Sequence, residues 1–97
     1  QILTRNYLCS AGEVDLVTRD GDCLVFVEVR TRRGDAWGTP EESVTREKQQ
    51  RLVAVAQYYL DEHEAGDVDW RIDLVAVDVG PGGEVRRLDV LRDVVSQ

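Results

Sequence analysis

Two stretches of the chain carry apolar and polar residues in the pattern of buried or half-buried strands: Gly12-Glu13-Val14-Asp15-Leu16-Val17 and Leu24-Val25-Phe26-Val27-Glu28-Val29-Arg30. Between them stands Asp20-Gly21, a strong short-range hairpin signal. The pattern predicts paired strands over Glu13–Arg19 and Cys23–Arg32, with Ile2–Cys9 as a strand before them. Residues 33–44, with Gly34, Gly38 and Pro40, read as a loop carrying Trp37. A helix is predicted from Arg46 to His63, capped by Thr45, with Leu52, Val53, Ala56, Tyr59 and Leu60 at helical spacing. An acidic connection leads to a strand over Trp70–Val79, a turn at Gly80-Pro81-Gly82-Gly83 and a last strand over Glu84–Val90.

The order is therefore β-β-β-α-β-β, one α/β domain with a mixed central sheet. Trp70–Val79 is apolar enough to be a central strand, joined through the helix to the third strand. Alternation puts Val14, Leu16, Val25, Val27 and Val29 on one face of the hairpin and Val17, Leu24 and Phe26 on the other. A sheet apolar on both faces needs cover on both. One helix covers one side, so a second is expected, from an N-terminal segment preceding Gln1.

Glu28 lies within the most apolar run of the chain. A buried carboxylate costs several kcal/mol unless it is paired or holds a metal. If Asp20 and Gly21 are the two loop residues, Asp15 falls opposite Phe26 and Glu13 opposite Glu28. Glu13, Asp15, Glu28 and Arg30 then share a face, with Asp15 and Glu28 diagonal neighbours roughly 6–8 Å apart. Two like charges about 5 Å apart cost roughly 3 kcal/mol at an effective dielectric near 20. A divalent cation removes that cost, and hard oxygen ligands favour Mg²⁺ or Mn²⁺ over zinc. The bland alternative is that Asp15 and Glu28 form ion pairs with Arg30, Arg5 or Arg19. A three-residue loop would put Glu28 on the face opposite Asp15.

Ninety-seven residues, 42% hydrophobic and 32% charged, make one domain with a modest core. The sequence has no membrane span or signal-peptide pattern, and Cys9 and Cys23 read as free thiols, so a cytoplasmic protein is expected. A net charge of −7 argues against coating nucleic acid through bulk positive charge. The basic residues cluster, however: Arg30, Arg32 and Arg33, then Arg46, Lys48 and Arg51. Flanking the acidic site, they would hold an anionic substrate there. Asp73, another acid in an apolar strand, has Arg71 two residues away as a ready partner.

Gly12-Glu13-Val14-Asp15-Leu16, Val25 to Arg32, Lys48, Ala56-Gln57-Tyr58-Tyr59-Leu60 and Trp70-Arg71-Ile72-Asp73, in that order, resemble the YraN-like proteins. That family is placed in the restriction endonuclease-like fold, beside archaeal Holliday junction resolvases. The resemblance implies an Asp on one strand and Glu-x-Lys on the next. Asp15 and Glu28-Val29-Arg30 match this, with Arg30 where the pattern has Lys. It implies that Asp15, Glu28 and the Val29 carbonyl hold Mg²⁺, with Glu13 as an outer or second-metal ligand and Lys48 as a substitute for the lysine. Arg32, Arg33, Lys48 and Gln57 are the candidate nucleic-acid contacts, although the tyrosine expected four residues after Gln57 is Asp61. Junction cleavage would imply a two-fold homodimer. The function expected is metal-dependent endonuclease action on DNA, branched DNA included. The competing reading keeps the fold without the activity, as a module binding nucleic acid or a protein.

Overall fold

The computed structural model describes residues 1–33 and 44–95. The expected loop at Trp37 lies outside the described residues. Five strands and one helix follow one another as β1 (Ile2–Cys9), β2 (Gly12–Asp20), β3 (Cys23–Arg33), α1 (Arg46–Glu62), β4 (Asp69–Val79) and β5 (Val85–Leu91). The strands form one mixed α/β sheet in the spatial order β1-β2-β3-β4-β5. Only β3 and β4 run parallel. Parallel neighbours need a crossover, which α1 supplies. The predicted element order and the central place of β4 beside β3 are both found.

Thr45 caps α1 as expected, its hydroxyl accepting from the Lys48 N–H at 3.2 Å. The helix packs across β1 and β2, burying Leu52, Val55, Ala56 and Tyr59. These meet Tyr7, Val14, Val17, Leu24, Phe26 and Ile72 of the sheet in one core cluster. The Tyr59 ring stands edge-on to Tyr7 at 5.1 Å and to Phe26 at 5.6 Å, and Phe26 meets Trp70 the same way at 6.0 Å. His63, at the C-cap, stacks on Tyr59 at 3.9 Å. Buried Asp73 accepts from Arg71 Nε at 3.1 Å and from the Asp93 N–H at 2.9 Å, as the structural reading of that acid required. Both cysteines are free and half-buried.

Two expectations about the hairpin are corrected. The loop residues are Gly21 and Asp22, since Asp20 pairs with Cys23. Gly21 has φ 60°, and no positive φ occurs at Asp22. Glycine thus takes the first loop position, as in a type II′ turn, rather than the second position of type I′. The register moves by two residues, which preserves the faces but changes the partners.

The second correction concerns Val14. It shares the core under α1 with Val17, three residues on, which strict alternation forbids. The break coincides with Asn6 and Asp15, which the β1–β2 ladder skips between Arg5↔Leu16 and Tyr7↔Val14. Asn6 has φ 51°, a left-handed backbone that asparagine tolerates better than most residues. The irregularity turns Gly12 and Val14 toward the helix. A Cβ at Gly12 would stand 3.1 Å from Arg51 Cδ, so the absent side chain is what lets the helix approach. The opposite face of the sheet has no helix among the described residues.

A candidate cation site at the parting of two strands

The β2–β3 ladder runs from Asp20↔Cys23 to Leu16↔Val27 and stops there. Continuing its register places Asp15 opposite Glu28, closer than the diagonal arrangement expected from sequence. Asp15 replaces the missing ladder partner with its own side chain: Oδ2 accepts the Val29 N–H at 2.7 Å. In a strand the N–H and C=O of one residue point to the same edge. The Val29 carbonyl therefore also faces the gap in which Asp15 lies.

Glu28 is the group under most electrostatic tension. Its side chain is 19% exposed. Burial, followed by the hydrogen bond to Asp15 and the charge of Asp15, raises its pKa to about 7. Arg30 and Lys48 oppose the rise. Arg30 Nη2 lies 3.5 Å from Glu28 Oε2, a long contact for an ion pair. Burial and the neighbouring Asp15 carboxylate thus outweigh the arginine at Glu28. A divalent cation would replace a proton there, and the donor set of two carboxylates and one carbonyl suits a hard ion.

Arg30 Nε is buried with no hydrogen-bond partner among the described residues. An orphaned donor costs about 1–3 kcal/mol and calls for an acceptor. Lys48, on the first turn of α1, faces the same place. Burial lowers its pKa, the charges of Arg30 and Arg51 acting the same way and that of Glu28 opposing. α1 carries the crossover between parallel β3 and β4, and the first turn of that crossover holds Lys48 where the charges of Glu28 and Arg30 act on it.

The remaining expected site residues are placed differently. Glu13 does not oppose Glu28; it pairs with Leu8 and is exposed. With Gly12 and Val14 turned toward the helix, Glu13 points to the other face. Among the described residues no cluster of three or more Asp, Glu, His or Cys side chains is gathered to hold a metal. The expected cation set therefore contracts to Asp15, Glu28 and the Val29 carbonyl. Gln57 is exposed and lines a shallow groove with Arg46, Gln50, Ala54 and Val95. Nine residues from Lys48 is about half a turn round the helix, so Gln57 lies on the side away from the carboxylates. Arg32 is engaged by Asp78, Nε to Oδ1 at 2.9 Å and Nη2 to Oδ2 at 3.3 Å. Arg33, at the end of β3, is exposed.

A sequence model of the uncharacterised protein family UPF0102 matches residues 1–77. A UPF0102 protein of Syntrophus aciditrophicus is 40% identical over 93 residues, covering 96% of this chain and 72% of that protein. UPF0102 protein STH1475 of Symbiobacterium thermophilum is 46% identical over 86 residues, 89% of this chain and 73% of its own. The corresponding protein of Roseiflexus castenholzii reaches 51% over 82 residues, 82% of this chain and 65% of that one. No helix among the described residues is long and apolar enough to cross a membrane.

Proposed function

Since the chain belongs to the uncharacterised protein family UPF0102, its chemistry has to be read from the site, and we propose that it is a cytoplasmic, Mg²⁺- or Mn²⁺-dependent nuclease acting on DNA. The observation that carries this reading is the Asp15–Glu28 pair. Two carboxylates are brought side by side where β2 and β3 part, one of them fixed by the Val29 N–H, with cationic side chains at the rim. The strand order and the Asp, Glu-x-Arg arrangement support placing the domain with the restriction endonuclease-like folds.

A divalent cation bound by Asp15, Glu28 and the Val29 carbonyl would neutralise charge on a phosphodiester and lower the pKa of a water. The protein's own groups do the positioning. The backbone bond from Val29 fixes the Asp15 carboxylate. Arg30, whose side chain is about a third exposed, offers the accessible part of its guanidinium to a phosphate oxygen, and a guanidinium suits that role but stays protonated, so it is not the base. Lys48 supplies the amino group that the superfamily pattern has two residues after the glutamate. Its lowered pKa eases proton exchange with a nucleophile. Branched DNA is the substrate the resemblance favours.

The test is cleavage of labelled branched, single-stranded and duplex DNA by the full-length protein with Mg²⁺ or Mn²⁺. Metal-dependent cleavage that falls at least about a hundredfold in Glu28→Gln, and also in Lys48→Ala, is expected. Binding without cleavage of any substrate would overturn the enzyme reading in favour of a nuclease-fold binding module.

A further inference from the structure

β5 is an edge of the sheet, and it exposes three large apolar residues: Val85 at 61%, Leu88 at 57% and Val90 at 53%. Their ladder partners are Val79, Val77 and Val75, which alternate on the face of β4 away from α1. The register shift at Asp78/Val79 leaves Arg86 outside the ladder, and so keeps Val85 on the same face as Leu88. Val29, 37% exposed, continues the patch beside Val75. An exposed apolar edge strand is a template for another strand, and natural edges are blunted by charge, a bulge, proline or a covering element; β5 has charges and a bulge, but its Arg87 and Asp89 are self-complementary. The sequence of β5 has no lysine or proline.

The charges on β5 specify the partner. Arg87 and Asp89 are two residues apart and pair within the strand at 2.7 Å, with side chains 69% and 38% exposed. Suppose that two copies of β5 pair antiparallel about a two-fold axis at Leu88. Leu88 then opposes Leu88, and Arg87 of each copy opposes Asp89 of the other. An axis at Arg87 would set arginine against arginine, and one at Asp89 would set aspartate against aspartate, both destabilising. Only the Leu88 register of these three is complementary in charge and in apolar contact.

We propose that the full chain forms a two-fold homodimer through antiparallel β5–β5 pairing centred on Leu88, giving one ten-stranded sheet. This rests on β5 alone and is independent of the chemistry at Glu28. The axis stands perpendicular to the sheet, so both Glu28 residues face the same side. Five strand spacings across and about six residues along separate them, roughly 30 Å. A single strand pair is a small interface, at the weak end of protein–protein contacts.

Sedimentation velocity over a concentration series tests the proposal. The wild type should pass from monomer to dimer. Arg87→Asp, at an exposed position, and Asp89→Arg, at a half-buried one, should remain monomeric with unchanged circular dichroism. The double variant should dimerise again, because exchanging the charges restores the cross-pairs. In a Cys9→Ser, Cys23→Ser background, Leu88→Cys should oxidise to a linked dimer and Asp89→Cys should not. A monomer at every concentration up to about 1 mM, a dimer insensitive to charge reversal, or preferential linkage through Asp89→Cys would each overturn it.

Discussion

Glu28 decides the chemistry at the scale of single residues, and its protonation gives a prediction with a definite sign. Its pKa in the folded protein is raised to about 7 from an ordinary value near 4.5. The folded state therefore binds the proton more tightly than the unfolded chain. The stability this represents is fully present below about pH 4.5 and is lost as pH rises through 7. Without divalent cations, the wild type should lose on the order of 1–2 kcal/mol between pH 5 and 8 relative to Glu28→Gln, after allowance for solvent screening. Urea denaturation at the two pH values checks it; a wild type and variant with the same pH dependence would contradict it. Mg²⁺ should restore the loss at pH 8 and do little at pH 5, since the ion must displace the proton. The meeting of Asp15 and Glu28 was legible from strand alternation together with a two-residue loop. Their direct opposition was not, because Asp-Gly gave no sign that glycine would take the first loop position. Glu13 was misplaced for a subtler reason: the alternation it relied on is broken at Asn6 and Asp15. Asparagine within a strand was the one available warning.

At the scale of elements, the helix and hairpin create the site by ending where they do. β2 and β3 part after Leu16↔Val27, and that parting frees the Val29 backbone for Asp15. The Thr45 cap starts α1 so that its first turn carries Lys48. Every strand and the helix were legible to within a residue or two, because each is bounded by clear turn or capping residues. The return of the helix start to the carboxylates was not, since it depends on how α1 crosses over the sheet. What holds helix to sheet is the ring cluster. Phe26, 1% exposed, is edge-on to both Tyr59 and Trp70. Phe26→Ala should cost about 3–5 kcal/mol in chemical denaturation. A loss under about 1 kcal/mol would mean that the helix is held by something other than this contact.

Across the whole molecule, the sheet has one face under α1 and another that is buried at Val25 and Val27 but exposes apolar residues toward the β5 edge. Apolar residues on both hairpin faces forecast that the sheet needs cover on both sides. The self-complementary spacing of Arg87, Leu88 and Asp89 was equally present in the sequence. It acquires meaning only once β5 is known to be an edge. The net charge of −7 belongs to this scale too. An acidic surface gathers divalent cations diffusely, so binding to the protein at large says nothing of Asp15 and Glu28. The measurement that separates the two is a titration of the full chain with Mn²⁺, followed by electron paramagnetic resonance, in the wild type and in Asp15→Asn and Glu28→Gln. Asp93→Asn, at an exposed acid outside the site, serves as a control for lost charge. One saturable site per chain is expected, kept in the control and lost in both site variants. Equal Mn²⁺ binding by all four proteins, or none by the wild type, would contradict it.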